Sequence, residues 1–332
     1  MKRQTIPSVL LVLAGVLCCQ HADAQIGIQI EADREKYVRY EPVKLTVTLR
    51  NYTGNTLIFG LDRDTEGSLD FLVETPEGLP IRQLDRDANP VAGLVLGTGE
   101  TKSLTLTLNN LYDMQSEGVY IVAAQVGHPR LQNDYRSNEH SLEVRTGLVL
   151  WEQMVGIPAA ERSDRIQSRK ITLMMFRDKK GEIYCLRSED EGYVYGVVRL
   201  GPRIAGSEPQ CDVDSVSNVH VLFLIRPRLY AYRVYDYNLE LRQEKYYVLE
   251  DYPPRLDRDQ DIGRITVVGG RTAVEGQDFR LDRNAGKPAS APVAEAAPGE
   301  NSAPAETDKP DKTSGKDGLG SLFRGLFRFG RK

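Results

Sequence analysis

The run Val43-Lys44-Leu45-Thr46-Val47-Thr48-Leu49-Arg50 alternates strictly between apolar and polar side chains. Successive side chains of an extended chain point to opposite faces. A period of two therefore puts Val43, Leu45, Val47 and Leu49 against a core and Lys44, Thr46, Thr48 and Arg50 in water. Leu104, Leu106 and Leu108 alternate in the same way with Ser103, Thr105 and Thr107. Shorter stretches follow suit at Ile26/Ile28/Ile30, Phe71/Val73, Val119/Ile121/Ala123 and Leu142/Val144. Turn-forming residues separate them at Asn51 to Asn55, Thr75-Pro76-Glu77-Gly78, Gly97-Thr98-Gly99 and Ser116-Glu117-Gly118. About seven short strands over residues 25–146 predict a two-sheet β-sandwich.

Tyr120 opens a late strand just after a tight turn. That is the place of a tyrosine corner, whose hydroxyl bonds back upstream; the alternative is an ordinary strand aromatic. The order Tyr40-Glu41-Pro42-Val43, Asn51-Tyr52-Thr53-Gly54-Asn55, Asp70-Phe71…Gly78, Gly97-Thr98-Gly99-Glu100 and Gly118-Val119-Tyr120 resembles secreted bacterial immunoglobulin-like modules. It is most similar to the intracellular proteinase inhibitor domain family. The resemblance covers less than half the chain and implies an immunoglobulin-like fold. No reactive-loop residues match, so it does not transfer inhibition.

Residues 147–280 read as a second β-rich domain. Gly147 to Trp151 suits a linking strand, and Ile157 to Arg169 has the mixed character of a short helix. Strands are predicted at Ile171–Phe176, Ile183–Leu186, Tyr193–Leu200, Val219–Ile225, Leu229–Tyr235, Tyr246–Leu249 and Ile265–Val268, with a hairpin turn at Asp178-Lys179-Lys180-Gly181. Val219–Ile225 is almost continuously apolar, as a central strand buried on both faces would be. Ten of the 16 tyrosines fall here, which suits half-buried pleated surfaces. An open sheet or an incomplete barrel is expected. The fold class is thus all-β throughout.

The termini differ in character. Lys2 and Arg3, an apolar run from Ile6 to Leu17 and Ala22-Asp23-Ala24 have the layout of a cleavable signal peptide over residues 1–24. The apolar run falls short of the roughly 20 residues that span a bilayer. Cys18 and Cys19 lack the small preceding residue of a lipoprotein site. Cleavage would remove Lys2, Arg3 and Asp23, leaving 41 basic and 46 acidic side chains and a net charge of −5. That balance argues against bulk nucleic-acid binding. Residues 281–317, rich in Ala, Pro, Glu, Lys, Ser and Gly, read as a disordered linker. Residues 318–332 read as a basic amphipathic helix. Leu319, Leu322, Phe323, Leu326 and Phe327 share one face, with Arg324 and Arg328 supplying charge.

Candidate sites are few. The tail residues Leu319, Leu322, Phe323, Arg324, Leu326, Phe327 and Arg328 suit docking on an anionic membrane surface or an envelope protein. Asp62, Asp64, Glu66 and Asp70 have the spacing of the start of a calcium loop, although Val73 stands where its last ligand belongs. Asp257, Asp259 and Asp261 repeat the theme less fully, and calcium is the one cofactor the sequence suggests. Export exposes Cys185 and Cys211 to oxidising conditions; they form a bridge or stay as two separate thiols. Tyr230 and Tyr232, with Tyr235 and Tyr237 on the opposite face, read either as sheet packing or as a polymer-binding row. His220 reads as a satisfied core histidine, while His128 and His140 read as exposed loop residues.

Paired metal spacings, a nucleophile elbow and a phosphate-cradling glycine loop are all missing from the sequence. The expectation is an exported, non-catalytic binding or scaffolding protein of the cell envelope, periplasmic or extracellular. One alternative is a hydrolase of extracellular polymers acting through the second domain. Another is a protease inhibitor acting through the sandwich.

Overall fold

The computed structural model describes residues 25–157 and 167–280, which are mostly strands with almost no helix. The first half comprises β1 (Ile26–Ala32), β2 (Lys36–Val38), β3 (Lys44–Asn51), β4 (Leu57–Ile58), one helical turn α1 (Arg63–Glu66), β5 (Ser68–Glu74), β6 (Val95–Leu96), β7 (Thr101–Thr107), β8 (Gly118–Gly127), β9 (Tyr135–Arg136) and β10 (His140–Arg145). One sheet runs β1-β3-β7, and a second runs β2-β10-β8-β5 with β9 beside β8. A ribbon of β4 and β6 completes the set. All pairings are antiparallel except β2 on β10.

The alternation in β3 is realised as read. Leu45, Val47 and Leu49 are fully buried, and the outer face carries a hydroxyl ladder, Thr46 to Thr105 at 3.2 Å and Thr48 to Ser103 at 2.8 Å. Phe71, Val73, Leu142 and Val144 meet them from the other sheet in one shared core. In β8 the phase is opposite to the expectation. Tyr120, Val122, Ala124 and Val126 face that core, not Val119, Ile121 and Ala123. Both faces of this strand are apolar, so its own pattern cannot fix the phase. The Tyr120 hydroxyl does so instead, donating to the Ser116 carbonyl at 2.6 Å.

The second half comprises β11 (Leu148–Ile157), β12 (Gln167–Asp178), β13 (Gly181–Glu189), β14 (Val194–Pro202), β15 (Gln210–Val213), β16 (Val219–Arg226), β17 (Leu229–Tyr235), β18 (Leu241–Val248), β19 (Arg255–Arg258), β20 (Ile265–Val268) and β21 (Arg271–Thr272). Gln167 to Arg169, expected in a short helix, belong to β12; residues 158–166 lie outside the described part. Two antiparallel sheets form, β11-β12-β13-β14 and β15-β16-β17-β18-β21. Strand parity gives each sheet two buried faces. Ile171, Leu173, Tyr184 and Leu186 face Val219, Val221, Phe223 and Ala231 between the sheets. The even residues Met174 and Phe176, with Cys185, Val194 and Val197, face away and meet Val38 and Tyr40 of the first half. On the far side Leu222, Tyr230, Tyr232 and Val234 are covered by Leu256 and Val267 of the β19-β20 ribbon. As expected, β16 is a central strand buried on both faces.

Charge reinforces the junction between the halves. Glu41, 5% exposed, receives Nε and Nη2 of Arg199 at 2.6 and 2.9 Å and the Val38 N–H at 2.9 Å. The third nitrogen of Arg199 donates to Asp178 at 2.6 Å, and Nη2 also reaches the Lys36 carbonyl at 2.7 Å. Tyr40 enters this contact with a φ of 71°, an unusual conformation for an aromatic residue. Lys179 adds an exposed pair to Glu35 at 2.6 Å.

Candidate functional site

The ribbon-covered face of the β16-β17 sheet turns polar at one end. The tight turn Pro227–Arg228, with a bulge between Leu224 and Arg226, pairs Leu222 with Tyr232 and His220 with Val234. His220 and Tyr232 thereby become diagonal neighbours on one face, within reach of each other. The turn between β15 and β16 supplies Asp214. Its Oδ1 accepts the N–H groups of Val216 and Asn218 at 3.0 and 2.8 Å, the ordinary service of an aspartate in a turn. Its Oδ2 accepts Nδ2 of Asn218 at 2.9 Å and lies 3.1 Å from Nε2 of His220. Nδ1 of His220 lies 2.7 Å from the Tyr232 hydroxyl.

Proton positions in this chain follow from its carboxylate end. An ionised Asp214 can only accept, so Nε2 of His220 carries the proton that faces it. When the ring carries that one proton, Nδ1 is an acceptor and Tyr232 donates to it. Burial alone would raise the Asp214 carboxyl. The bonds from Asn218, His220 and the turn N–H groups more than offset this and hold it below its ordinary value. Burial pushes the Tyr232 hydroxyl up to about 12, Tyr247 and Asp214 add to the rise, and Arg264 opposes it. Tyr232 is therefore a phenol at neutral pH, not a nucleophile.

Above the chain lies a cavity of about 510 Å³. Val234 and Ile265 give it an apolar wall, and Arg242, Gln243 and Arg264 line it further. Arg242 is shared with Asp236 at 2.5 Å and Glu240 at 3.1 Å. The guanidinium of Arg264 makes no ion pair or hydrogen bond among the described residues. The cavity wall is tied in place where Ser215 N–H donates to the Gly263 carbonyl at 3.2 Å. Gly263 has a φ of 68°, and a Cβ there would come within 3.0 Å of Ser215.

The expected calcium ligands do not converge. Asp62 caps α1 by accepting the Asp64 and Thr65 N–H groups, Glu66 bonds the Asp62 N–H, and Asp70 pairs with Arg63. Asp259 likewise caps its own turn, accepting from Asp261 and Ile262. No group of three His, Cys, Asp or Glu able to hold a metal occurs among the described residues. Cys185 and Cys211 are separate free thiols, the first in the junction core and the second against the inter-sheet core. Burial pushes Cys185 up to about 12. Tyr230, Tyr232, Tyr235 and Tyr237 pack against sheets and form no exposed row. His140 departs from expectation, since its Nε2 is buried without a partner. His128 Nε2 lies 3.1 Å from the Ile58 carbonyl and its Nδ1 accepts the Arg130 N–H. The tail residues Leu319 to Arg328 lie outside the described residues, as does segment 1–24.

The described residues contain no helix long and apolar enough to cross a membrane. Compared with known proteins, the chain matches no protein-family model and no curated protein.

Two carboxylates near the cavity set an acid limit. Asp214 and Asp212 both sit below the ordinary aspartate value of 3.8, in the second case because Arg258 outweighs burial. Groups with a depressed folded value stabilise the fold fully above 3.8 and lose that contribution as pH falls through their folded values. The melting temperature should therefore drop as pH falls below about 4, and less steeply in Asp214→Asn. Equal slopes for the two proteins would remove Asp214 from this account.

Proposed function

We propose that this chain is an exported, non-catalytic binding or scaffolding protein of the cell envelope. In this reading residues 25–146 form an immunoglobulin-like sandwich, the second half carries the ligand cavity, and residues 318–332 attach the protein to membrane or partner. The sandwich assignment draws support from strand order. β1-β3-β7 and β5-β8-β10 correspond to the ABE and CFG sets, and the Tyr120 bond to Ser116 is that of a tyrosine corner.

The observation that carries the non-catalytic reading is the saturation of the Asp214–His220–Tyr232 chain. The Asp214 oxygens receive four hydrogen bonds, both imidazole nitrogens are engaged, and Tyr232 keeps its proton. A hydroxyl, imidazole and carboxylate in this order also occur in nucleophilic sites. What supports a binding role here is that burial pushes the Tyr232 hydroxyl up to about 12, so the chain holds a phenol and no ready nucleophile.

Sedimentation with isolated envelope material tests this. Saturable retention of the protein without release of soluble fragments is expected, with retention reduced by removing residues 316–332. Fragment release that disappears in His220→Gln would establish the hydrolase reading instead.

A further inference from the structure

We infer that the cavity above Tyr232 binds a small hydroxylated carboxylate of the sugar-acid class. The inference deepens the binding reading and rests on it. It follows from which hydrogen-bonding positions are already spent. Asp214 has no lone pair to offer, and the Tyr232 proton is committed to His220. The hydroxyl of Tyr232 therefore presents only an acceptor to the cavity. Asn218 spends one of its two amide N–H groups on Asp214 and keeps its side-chain oxygen uncommitted among the described residues. The floor thus offers two acceptors, the Tyr232 and Asn218 oxygens, beside one amide donor, and suits a ligand rich in hydroxyls, which donate and accept.

The rim has the opposite character. Among the described residues Arg264 is a guanidinium without an ion-pair partner, and the charge on the floor, the Asp214 carboxylate, has its oxygens filled by four internal donors. A guanidinium fork matches a carboxylate in two parallel bonds. Arg242 is paired with two carboxylates, Asp236 and Glu240, and has no positive charge to spare, so Arg264 is the lining cation left to meet an anion, and one carboxylate suits it better than a phosphate. Gln243 can donate and accept, and Val234 with Ile265 offers a flat apolar surface. A ligand with one carboxylate, several hydroxyls and an aliphatic ring face satisfies all three regions. The cavity volume lies within the roughly 300–1,000 Å³ typical of small-molecule sites.

The test uses the full chain and three probes: glucuronate, glucose and acetate. Glucuronate is expected to bind at millimolar concentration or better by calorimetry, with glucose and acetate each weaker by about tenfold or more. In nuclear magnetic resonance titrations the amides of residues 214–220 and 264–265 should shift together. Arg264→Ala should weaken glucuronate about tenfold, Arg264→Lys less, and the remote Arg86→Ala not at all. Tyr232→Phe removes one floor acceptor and should weaken glucuronate without affecting acetate. Equal affinity for acetate and glucuronate, unchanged affinity in Arg264→Ala, or no shift at these amides overturns the inference while leaving the envelope-retention reading intact. Conversely, glucuronate that binds and is converted to a new species keeps the ligand class and overturns the non-catalytic reading.

Discussion

Arg199→Met should lower the unfolding free energy by about 3–5 kcal/mol, the range for removing one member of a buried ion pair. The methionine fills similar space, so the loss is mostly electrostatic. Glu41 would stay inside the junction, 5% exposed, with the Val38 N–H as its one remaining close donor. Arg34 stands 3.6 Å away and is too distant to replace a bidentate contact. Asp178 and the Lys36 carbonyl would lose donors at the same moment. Urea unfolding measures the effect, and a loss below about 1 kcal/mol would show the pair to be no more than a surface salt bridge.

The companion variants separate charge from packing. Glu41→Gln should cost less, because the amide still accepts from Val38 and Arg199 retains Asp178. The double variant Glu41→Leu with Arg199→Met should recover part of the single-variant loss. Apolar replacements of buried pairs are often neutral, and Val38, Phe176 and Cys185 already line the junction. A double variant that is additive would mean that the two side chains do not act as a unit. The junction, on this account, is where the two halves become one body, and its charge fixes their orientation more than it adds stability.

This clamp was invisible in the sequence, although both of its ends were in view. Glu41 sits in Tyr40-Glu41-Pro42-Val43, which reads as strand punctuation, and Arg199 is one polar residue in an apolar strand. They are 158 positions apart, and local periodicity carries no information about such a pair. The strands themselves were legible because their patterns are local: β3, β13, β16 and β17 cover the stretches where alternation or a continuous apolar run placed them, while β12 starts at Gln167, inside the stretch expected to be helical. The phase of β8 was not, because it is apolar on both faces and a bond from Tyr120 sets it. The cavity lay between these extremes. His220 was readable as a satisfied histidine, and both its nitrogens are bonded. The Pro227–Arg228 turn alone would pair His220 with Tyr235; the bulge between Leu224 and Arg226 shifts the register by one and brings Tyr232 to it. Asp214 carried only a turn signal, and its second oxygen acquires a role only once the sheet is formed. Acidic spacing misled at residues 62–70, because Asp62 and Glu66 serve their own helical turn before they could serve a metal.

Phe223→Ala is expected to cost about 3–5 kcal/mol, the range for truncating a buried aromatic. Phe223 is 1% exposed and stands at the centre of the inter-sheet core, edge-to-face with Tyr184 at 5.9 Å between centroids. The opposite sheet has been shaped around the ring. Gly201, with a φ of 155°, approaches so closely that a Cβ there would lie 3.0 Å from it. A strand that has given up a side chain to admit the ring has nothing to move into the space it leaves. Tyr184 is also held away, its hydroxyl tied to the Ser207 carbonyl at 3.0 Å. The cavity should therefore stay open, which puts the cost near the top of the range, since the penalty grows with the volume left unfilled. Trp151, the chain's single tryptophan, packs against this same core and reports on it by fluorescence. The Phe223→Ala midpoint should fall in the tryptophan signal. Should it stay within about 1 kcal/mol of the parent, the sheets would be collapsing onto the gap, and Gly201 would not be the rigid neighbour that its geometry implies.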